Sequence, residues 1–315
     1  EDSNGHIFAQ VSGAAANIDA NRAGVENAGS IIGQQIALAA GDLYSIAIYN
    51  SGDIMAGDMI SLEAYGSGVV QNDGLLDASN IDGVGGTVVM TGETVKVGGS
   101  ILASGQTGGQ INVGGGFQGG VASIRNATNT TISETAQLSA DGTDGAGGTI
   151  IVWSDVSTGF YGSISTQGGG FAEVSGKQTL MIPTLQNIDV DGGTLLLDPT
   201  DIDIVDGVLG GGLGGSPHTA NTVIDAEIND FLINTGSLVI TTAGGGGDVG
   251  DITLDAAAEI SWNTTNSLTL TADNDVNLNG IINASAAAAV NVNAGNDVAV
   301  GGTGIIATAG GDGEW

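Results

Sequence analysis

Apolar residues return at a regular interval along this chain, inside a short phrase: Gly, any residue, Ile or Leu, any residue, then a small residue. The phrase reads Gly29-Ser-Ile31-Ile-Gly33, Gly52-Asp-Ile54-Met-Ala56, Gly74-Leu-Leu76-Asp-Ala78 and Gly99-Ser-Ile101-Leu-Ala103. It returns as Ala136-Gln-Leu138-Ser-Ala140, Gly162-Ser-Ile164-Ser-Thr166, Gly280-Ile-Ile282-Asn-Ala284 and Gly304-Ile-Ile306-Ala-Thr308. The central apolar residues are 23, 22, 25, 37, 26, 118 and 24 residues apart. A unit of roughly 20–25 residues cannot bury an apolar face alone and becomes stable by stacking on its neighbours, as in a solenoid.

Between the phrases the chain alternates apolar and polar residues, as in Gln35-Ile-Ala-Leu-Ala39, Met59-Ile-Ser-Leu-Glu63, Gln110-Ile-Asn-Val113 and Ser267-Leu-Thr-Leu270. This two-residue rhythm predicts short strands with aliphatic side chains turned inward and Thr, Ser, Asn and Asp turned to water. Runs of Gly, Asn and Asp between the strands supply turns. A leucine-rich repeat has a similar period but needs a helical return. Almost no ten-residue stretch shows helical spacing, and the best candidate is the Ala-rich run from Ala284 to Val290. The expected fold is therefore all-β, a right-handed parallel β-helix. At about 21 residues per coil and about 4.8 Å of rise, the chain would form roughly 15 coils, about 70 Å long.

Two intervals break the period. The step from Ile101 to Leu138 predicts an insertion near residues 117–131, and the long gap from Ile164 to Ile282 contains a Gly-rich stretch, predicting a second insertion near 207–219. The organisation expected is a first β-helical part over 1–206, a Gly-rich loop or excursion over 207–222 and a second β-helical part over 223–315, both parts belonging to one solenoid. Glu1 and Trp315 read as positions within the architecture, so the chain is expected to be a piece of a longer protein.

Composition sharpens this picture. Gly accounts for 57 of 315 residues, yet 41% of residues are hydrophobic, so the chain is neither disordered nor collagen-like. Gly is expected at the corners, where it tolerates positive φ. Four basic residues (Arg22, Lys96, Arg125, Lys177) stand against 35 acidic ones, for a net charge of −31. No basic patch can be assembled from them, which excludes nucleic acid as a partner. The acidity itself reads as solubility and lateral repulsion between rods. With no Cys, disulfides and thiolate metal sites are excluded.

Candidate chemistry is sparse. Clustered oxygens at Asp141-Gly-Thr-Asp144 and Asp189-Val-Asp-Gly-Gly193 make calcium the one cation to consider, although neither matches an EF-hand loop. Asp189, Asp191, Asp198, Asp201, Asp203 and Asp206, with Lys177, are the nearest approach to a lyase-like or paired-carboxylate cluster. His6 and His218 are too distant in sequence to suggest a site. The Gly-rich stretches 210–215 and 244–247 lack the Lys-Ser/Thr and the helix of a phosphate loop. The triplets at Asn126, Asn129, Asn263 and Asn283 match the N-glycosylation pattern, which is frequent by chance in an Asn- and Thr-rich chain. No catalytic, cofactor-binding or metal-ligating residue is assigned, and no enzyme is expected.

Several phrases in order carry a family resemblance: Gly147-Gly-Thr-Ile-Ile-Val-Trp-Ser-Asp155, Gly168-Gly-Gly-Phe-Ala-Glu-Val-Ser-Gly-Lys177 and Gly192-Gly-Thr-Leu-Leu-Leu-Asp-Pro-Thr200, followed by Val249-Gly-Asp-Ile-Thr-Leu254 and Leu268-Thr-Leu-Thr-Ala-Asp-Asn-Asp275. Over residues 25–310 this succession resembles the filamentous-haemagglutinin-like exoproteins of two-partner secretion, in the shaft that follows their secretion domain. The Asn-Pro-Asn-Gly-type motif of that secretion domain is absent here. The resemblance implies a large Gram-negative protein at the cell surface or released from it, exported through an outer-membrane β-barrel transporter. It also implies an adhesin whose β-helical shaft mediates cell attachment or aggregation, or presents a distal domain. A glycan or protein on a host or neighbouring cell would be the partner. The rival readings are a fibre subunit that self-associates end to end through unpaired strand edges and, more remotely, a polysaccharide-active enzyme.

Overall fold

A computed structural model describes residues 5–11, 23–41, 46–210, 219–244, 249–302, 304–308 and 313–314. Nearly all its regular structure is β, and parallel strands wind into a β-solenoid of about 11 turns. The turns are fewer than the expected 15 because coils differ in length. Ile150, Ala172 and Leu195 stack in one row 22 and 23 residues apart, but the steps from Ile111 to Ile150 and from Leu195 to Leu238 take 39 and 43 residues. Eleven rises give a shaft of about 50 Å.

The phrase forms one column of rungs. Ile31 pairs with Ile54, Ile54 with Leu76, Leu76 with Ile101, Ile101 with Leu138 and Leu138 with Ile164. From Leu76 to Leu138 these side chains are all but fully buried, and Ala78, Ala103 and Ala140 behind them are too. A second column runs from Ile36 through Ile60, Val88, Ile111, Ile150, Ala172, Leu195, Leu238 and Leu268 to Val290. Inward aliphatic residues therefore lie on one another from coil to coil, and the core is a continuous axial stack.

The opening Gly of the phrase is needed for approach between coils. Gly52, Gly74 and Gly99 do not have positive φ. A Cβ at any of them would overlap the carbonyl oxygen of the Gly one coil earlier, at Gly29, Gly52 and Gly74 respectively. Those carbonyls accept the N–H groups of Asp53, Leu75 and Ser100 at 2.8, 3.0 and 2.9 Å. The corner rule expected from positive φ is thus replaced, at these positions, by backbone crowding.

One inward row in the first coils is polar. Asn27, Asn50 and Asn72 are buried, and Asn27 Nδ2 donates to Asn50 Oδ1, and Asn50 Nδ2 to Asn72 Oδ1, each at 2.7 Å. Asn72 Nδ2 closes the ladder on the carbonyl of Gly74. The row then turns apolar at Val97, Ile132 and Phe160. Near the other end an acidic ladder runs along turns: Asp201 accepts from the Gly250 and Asp251 amides, Asp251 from Asp275 N and Asn274 Nδ2, and Asp275 from Asp297 N and Asn296 Nδ2.

The 118-residue gap in the phrase is filled by disguised repeats. Ile188, in Asn187-Ile-Asp-Val190, pairs with Ile164, and Ile260, in Glu259-Ile-Ser-Trp262, pairs with Ile282. Between them stands the single α-helix among the described residues, Asp225–Asn234 (α1), where almost no helical stretch was expected. The Ala284–Val290 run instead ends one strand and begins another. Helix α1 presents Ile228, Phe231 and Leu232 to the core, the i, i+3, i+4 spacing of one face. It also replaces the missing rung chemically. Asn229 accepts from Ser261 N and donates to the Glu259 carbonyl, and buried Asp225 accepts from Glu259 N. On the other side buried Glu227 accepts from Thr184 Oγ1, Leu185 N and Gly210 N.

The strand that leads into the helix, Thr222–Ile224, is out of sequence order. It pairs with Ile202–Val205, which lies later in the stack, while Asn221 N donates to the Leu180 carbonyl of the coil before. The second expected insertion begins here, and its residues 211–218 lie outside the described residues, as does His218. The first insertion is confirmed as residues 114–128, between the strands Gln110–Val113 and Asn129–Ile132.

Two substitutions test this packing. Gly74→Ala must push two coils apart and is expected to lower stability by more than about 1 kcal/mol. Ile101→Ala removes a fully buried side chain between Leu76 and Leu138 and is expected to cost about 2–5 kcal/mol. Urea unfolding followed by circular dichroism measures both; a loss below 0.5 kcal/mol, to within about the usual error of such fits, would contradict the register.

Candidate functional site

Three of the five phrases that carry the family resemblance come together in space. Each follows a strand of the second column, Thr149–Val152, Phe171–Val174 and Thr194–Leu197, so Trp153 to Asp155, Ser175 to Lys177 and Asp198 to Thr200 stack as three successive corners. Buried hydroxyls hold the corners together. Thr130 Oγ1 donates to the Trp153 carbonyl, Thr158 Oγ1 to that of Ser175, and Thr200 Oγ1 lies 2.8 Å from the Lys177 carbonyl.

The insertion 114–128 lies across these corners as a strap. At one end Arg125 donates to the carbonyls of Ala64 and Gly66 and pairs with Glu93 at 3.1 Å. At the other, Phe117 packs on Phe171 with ring centroids 5.9 Å apart, and Gly119 sits against the Trp153 indole where a Cβ would not fit. Gln118, between them, takes a left-handed backbone conformation at φ 47°. Ile151 and Leu196, which flank Glu173 in the same outward-facing row, are buried as well.

Gln118 clasps two carboxylates. Its backbone N–H donates to both Glu173 oxygens at 3.2 and 3.1 Å, and its side-chain Nε2 donates to Asp198 Oδ2 at 3.1 Å. Thr241 Oγ1 donates to the other Asp198 oxygen at 2.7 Å. Glu173 has no exposed surface and Asp198 only 6%. Burial pushes the Glu173 carboxyl up to about 7, with the nearby Asp198 charge adding to the rise and the Gln118 amide opposing it. Burial also raises Asp198, against its hydrogen bonds from Thr241 and Gln118 and the charge of Lys177.

Strap, corners and the segment that follows Thr241 border a cleft of about 630 Å³ lined by Gln118, Gly119, Asn126, Trp153, Asp155, Val156, Lys177, Gln178, Asp198, Thr200, Ala243 and Gly244. Asp155 Oδ1 is fixed by Trp153 Nε1 and Asn126 Nδ2, both at 3.0 Å. Lys177 and Gln178 are exposed at the cleft, and among the described residues Lys177 makes no ion pair. Glu173, sealed under the strap, does not line the cleft. A ligand there meets one ammonium, amides, a hydroxyl and carboxylates, one of which has both oxygens engaged.

Of the acidic residues grouped along the sequence, Asp198 alone joins Lys177 in this cleft. Asp201 serves the turn ladder, Asp189 and Asp191 cap exposed backbone amides at Asp191 and Gly168, and Asp141 accepts from Ser139, Ser165 and Gln167. Among the described residues no group of three or more His, Asp or Glu side chains is arranged to hold a metal ion. Asn126 of the glycosylation triplets is half-buried in the strap. Glu173 and Gln118 were missed at the sequence level. The signal available was an acidic residue in the strand Phe171–Val174, at the position where neighbouring rungs place Ile151 and Leu196.

The clasp has a pH signature. Glu173 in the folded protein stays protonated up to about 7, against an ordinary value of 4.5, so folding takes up a proton between those values and stability falls as pH rises through that window. Glu173→Gln is expected to flatten this fall, so that its stability relative to wild type improves by about 1–3 kcal/mol from pH 4 to pH 8. Urea unfolding at both pH values reads the difference, and equal slopes in the two proteins would refute the burial of the carboxyl. Arg125→Ala is expected to free the strap, seen as faster protease cleavage within 116–124 with the shaft intact.

Comparison of the chain with protein-family models and with curated proteins finds no match.

Proposed function

We propose that this chain is a non-catalytic shaft segment of a large exported bacterial exoprotein, an adhesin of the filamentous-haemagglutinin-like kind. It acts at the Gram-negative cell surface or after release, and an outer-membrane transporter carries it out. The observation that carries the reading is the continuous stacking of the second aliphatic column from Ile36 to Val290 through the turns of the solenoid. Such a body supplies length, stiffness and a long lateral surface, the properties that attachment needs.

The net charge of −31 supports the same reading, because such charge keeps neighbouring shafts apart and soluble. The carboxylates best placed for acid–base chemistry argue against catalysis. Glu173 is sealed from the cleft, and both Asp198 oxygens hold the strap or Thr241. No described helix is long and apolar enough to cross a membrane.

Beads coated with the purified chain are expected to attach saturably to cell monolayers or to clump with bacterial cells, and the free chain should compete. Beads that behave like those coated with an equally acidic control would remove the adhesive role. Turnover of neutral or acidic polysaccharides by the same preparation would overturn the non-catalytic one.

A further inference from the structure

We propose that the forward arm of the strap, residues 114–120, is a pH-operated latch: it lies closed on the shaft while Glu173 is protonated and lifts, with the shaft intact, when Glu173 and Asp198 are both charged. Such a device works whether or not the shaft is adhesive.

The arm reads Gly114-Gly-Gly-Phe-Gln-Gly-Gly120, so Phe117 and Gln118 are its only side chains, with glycines on both sides to serve as hinges. Its own hydrogen bonds do not need the shaft. Gly119 N donates to the Gly116 carbonyl and Gly120 N to that of Phe117, at 2.8 and 2.9 Å, and Asn126 Nδ2 donates to the Gly119 carbonyl. Ala127 N closes the root of the loop on the Gly114 carbonyl, and Arg125 pins the other flank, so the arm can move as one piece.

Little holds the arm down. The Phe117 ring stays 48% exposed on Phe171, and Gly119 lies against the Trp153 indole. Among the described residues, the hydrogen bonds from the tip of the arm to the shaft are those of Gln118 to Glu173 and Asp198. Gln118 makes them from a left-handed backbone at φ 47°, a strain of the kind found in switch segments. Closure also leaves Asn126 Oδ1 buried without a hydrogen-bond partner.

The balance of charge makes the clasp conditional. One residue reaches two buried carboxylates, and to Glu173 it offers a single N–H shared between two oxygens. The charged groups around Glu173 are Asp198 in the coil after, Asp155 in the coil before and Lys177 at the corner of its own coil, while residues 114–124 bring none. Lys177 favours the charged form of Asp198, so the second charge, on Glu173, is the one that closure disfavours. Burial and the Asp198 charge raise Glu173 from 4.5 to about 7 in the closed form, and water around a lifted arm relieves both. Closing therefore takes up a proton, and closure weakens as pH rises through that window.

Hydrogen exchange of the full chain, read by mass spectrometry on peptides within 114–128, tests the latch at about pH 5.5 and about pH 8, with labelling times scaled to equalise intrinsic exchange. The opening constant of the arm is expected to rise about tenfold or more between the two, the change that a pKa difference of about one supplies. The strands Gln110–Val113 and Thr194–Leu197 should keep their protection. In Glu173→Gln, which is neutral at both pH values, the change should shrink to less than about twofold. Equal protection of the arm at both pH values in the wild type overturns the latch, a comparison that needs no variant to fold. So does an unaltered pH response in Glu173→Gln, or loss of protection in arm and strands together, which reports unfolding of the shaft and no separate latch.

Discussion

The governing constraint is the backbone ladder between coils. Each rung is short, and its N–H and C=O groups find partners in the rungs on either side of it, so each residue of a rung is stacked directly on its counterpart in the next turn. A side chain is acceptable only if a copy of its position, about 4.8 Å away, can tolerate it. Ile on Leu and Val on Ile satisfy this by packing. Asn on Asn does so by passing a hydrogen bond from amide to amide along Asn27, Asn50 and Asn72. Acidic residues at the turns manage it by accepting from backbone amides of the following coil, as Asp251 and Asp275 do, which sets like charges against N–H dipoles in place of one another.

Both irregularities obey the same rule. Helix α1 stands where a rung of the phrase column would be, and it keeps the ladder satisfied with side chains: Asn229 and Asp225 toward Glu259 and Ser261, Glu227 toward Leu185. The strap leaves the ladder and returns to the outside of the second column, where Gln118 binds Glu173 and Phe117 packs on Phe171. Its cost is a buried carboxyl whose charged form is disfavoured, offset by the Gln118 clasp.

Most of the shaft was legible because its signals are local and repeated. The inward positions of the phrase, the two-residue rhythm of the strands and the insertion before Asn129 all follow from residues within one coil. The coil count was overestimated because insertions consume chain without adding rise. Ile188 and Ile260 went unseen since their repeats close on Val190 and Trp262 where the phrase has a small residue, and α1 is a single ten-residue element whose Ile228, Phe231 and Leu232 spacing is brief. Positive φ, the reason expected for Gly, holds at turns such as Gly168 and Gly192, but not where Gly opens the phrase: the crowding at Gly52 comes from Gly29, 23 residues earlier. The cleft was the least legible part. Trp153, Lys177 and Asp198 are drawn together by stacking, while Gln118 reaches Asp198 across 80 residues of chain. The phrases quoted for their family resemblance proved to be the corners of that cleft.

Hydrogen exchange of the full chain, followed by mass spectrometry of peptides, tests the axial stack most directly. Continuous stacking predicts slow exchange as one block from Asp53–Ala64 through Thr194–Leu197 and on through α1 to Leu268–Ala272, all released together as denaturant rises. Rapid exchange of the strands after residue 236, with those before 205 still protected, would show two bodies without a shared core and contradict the account.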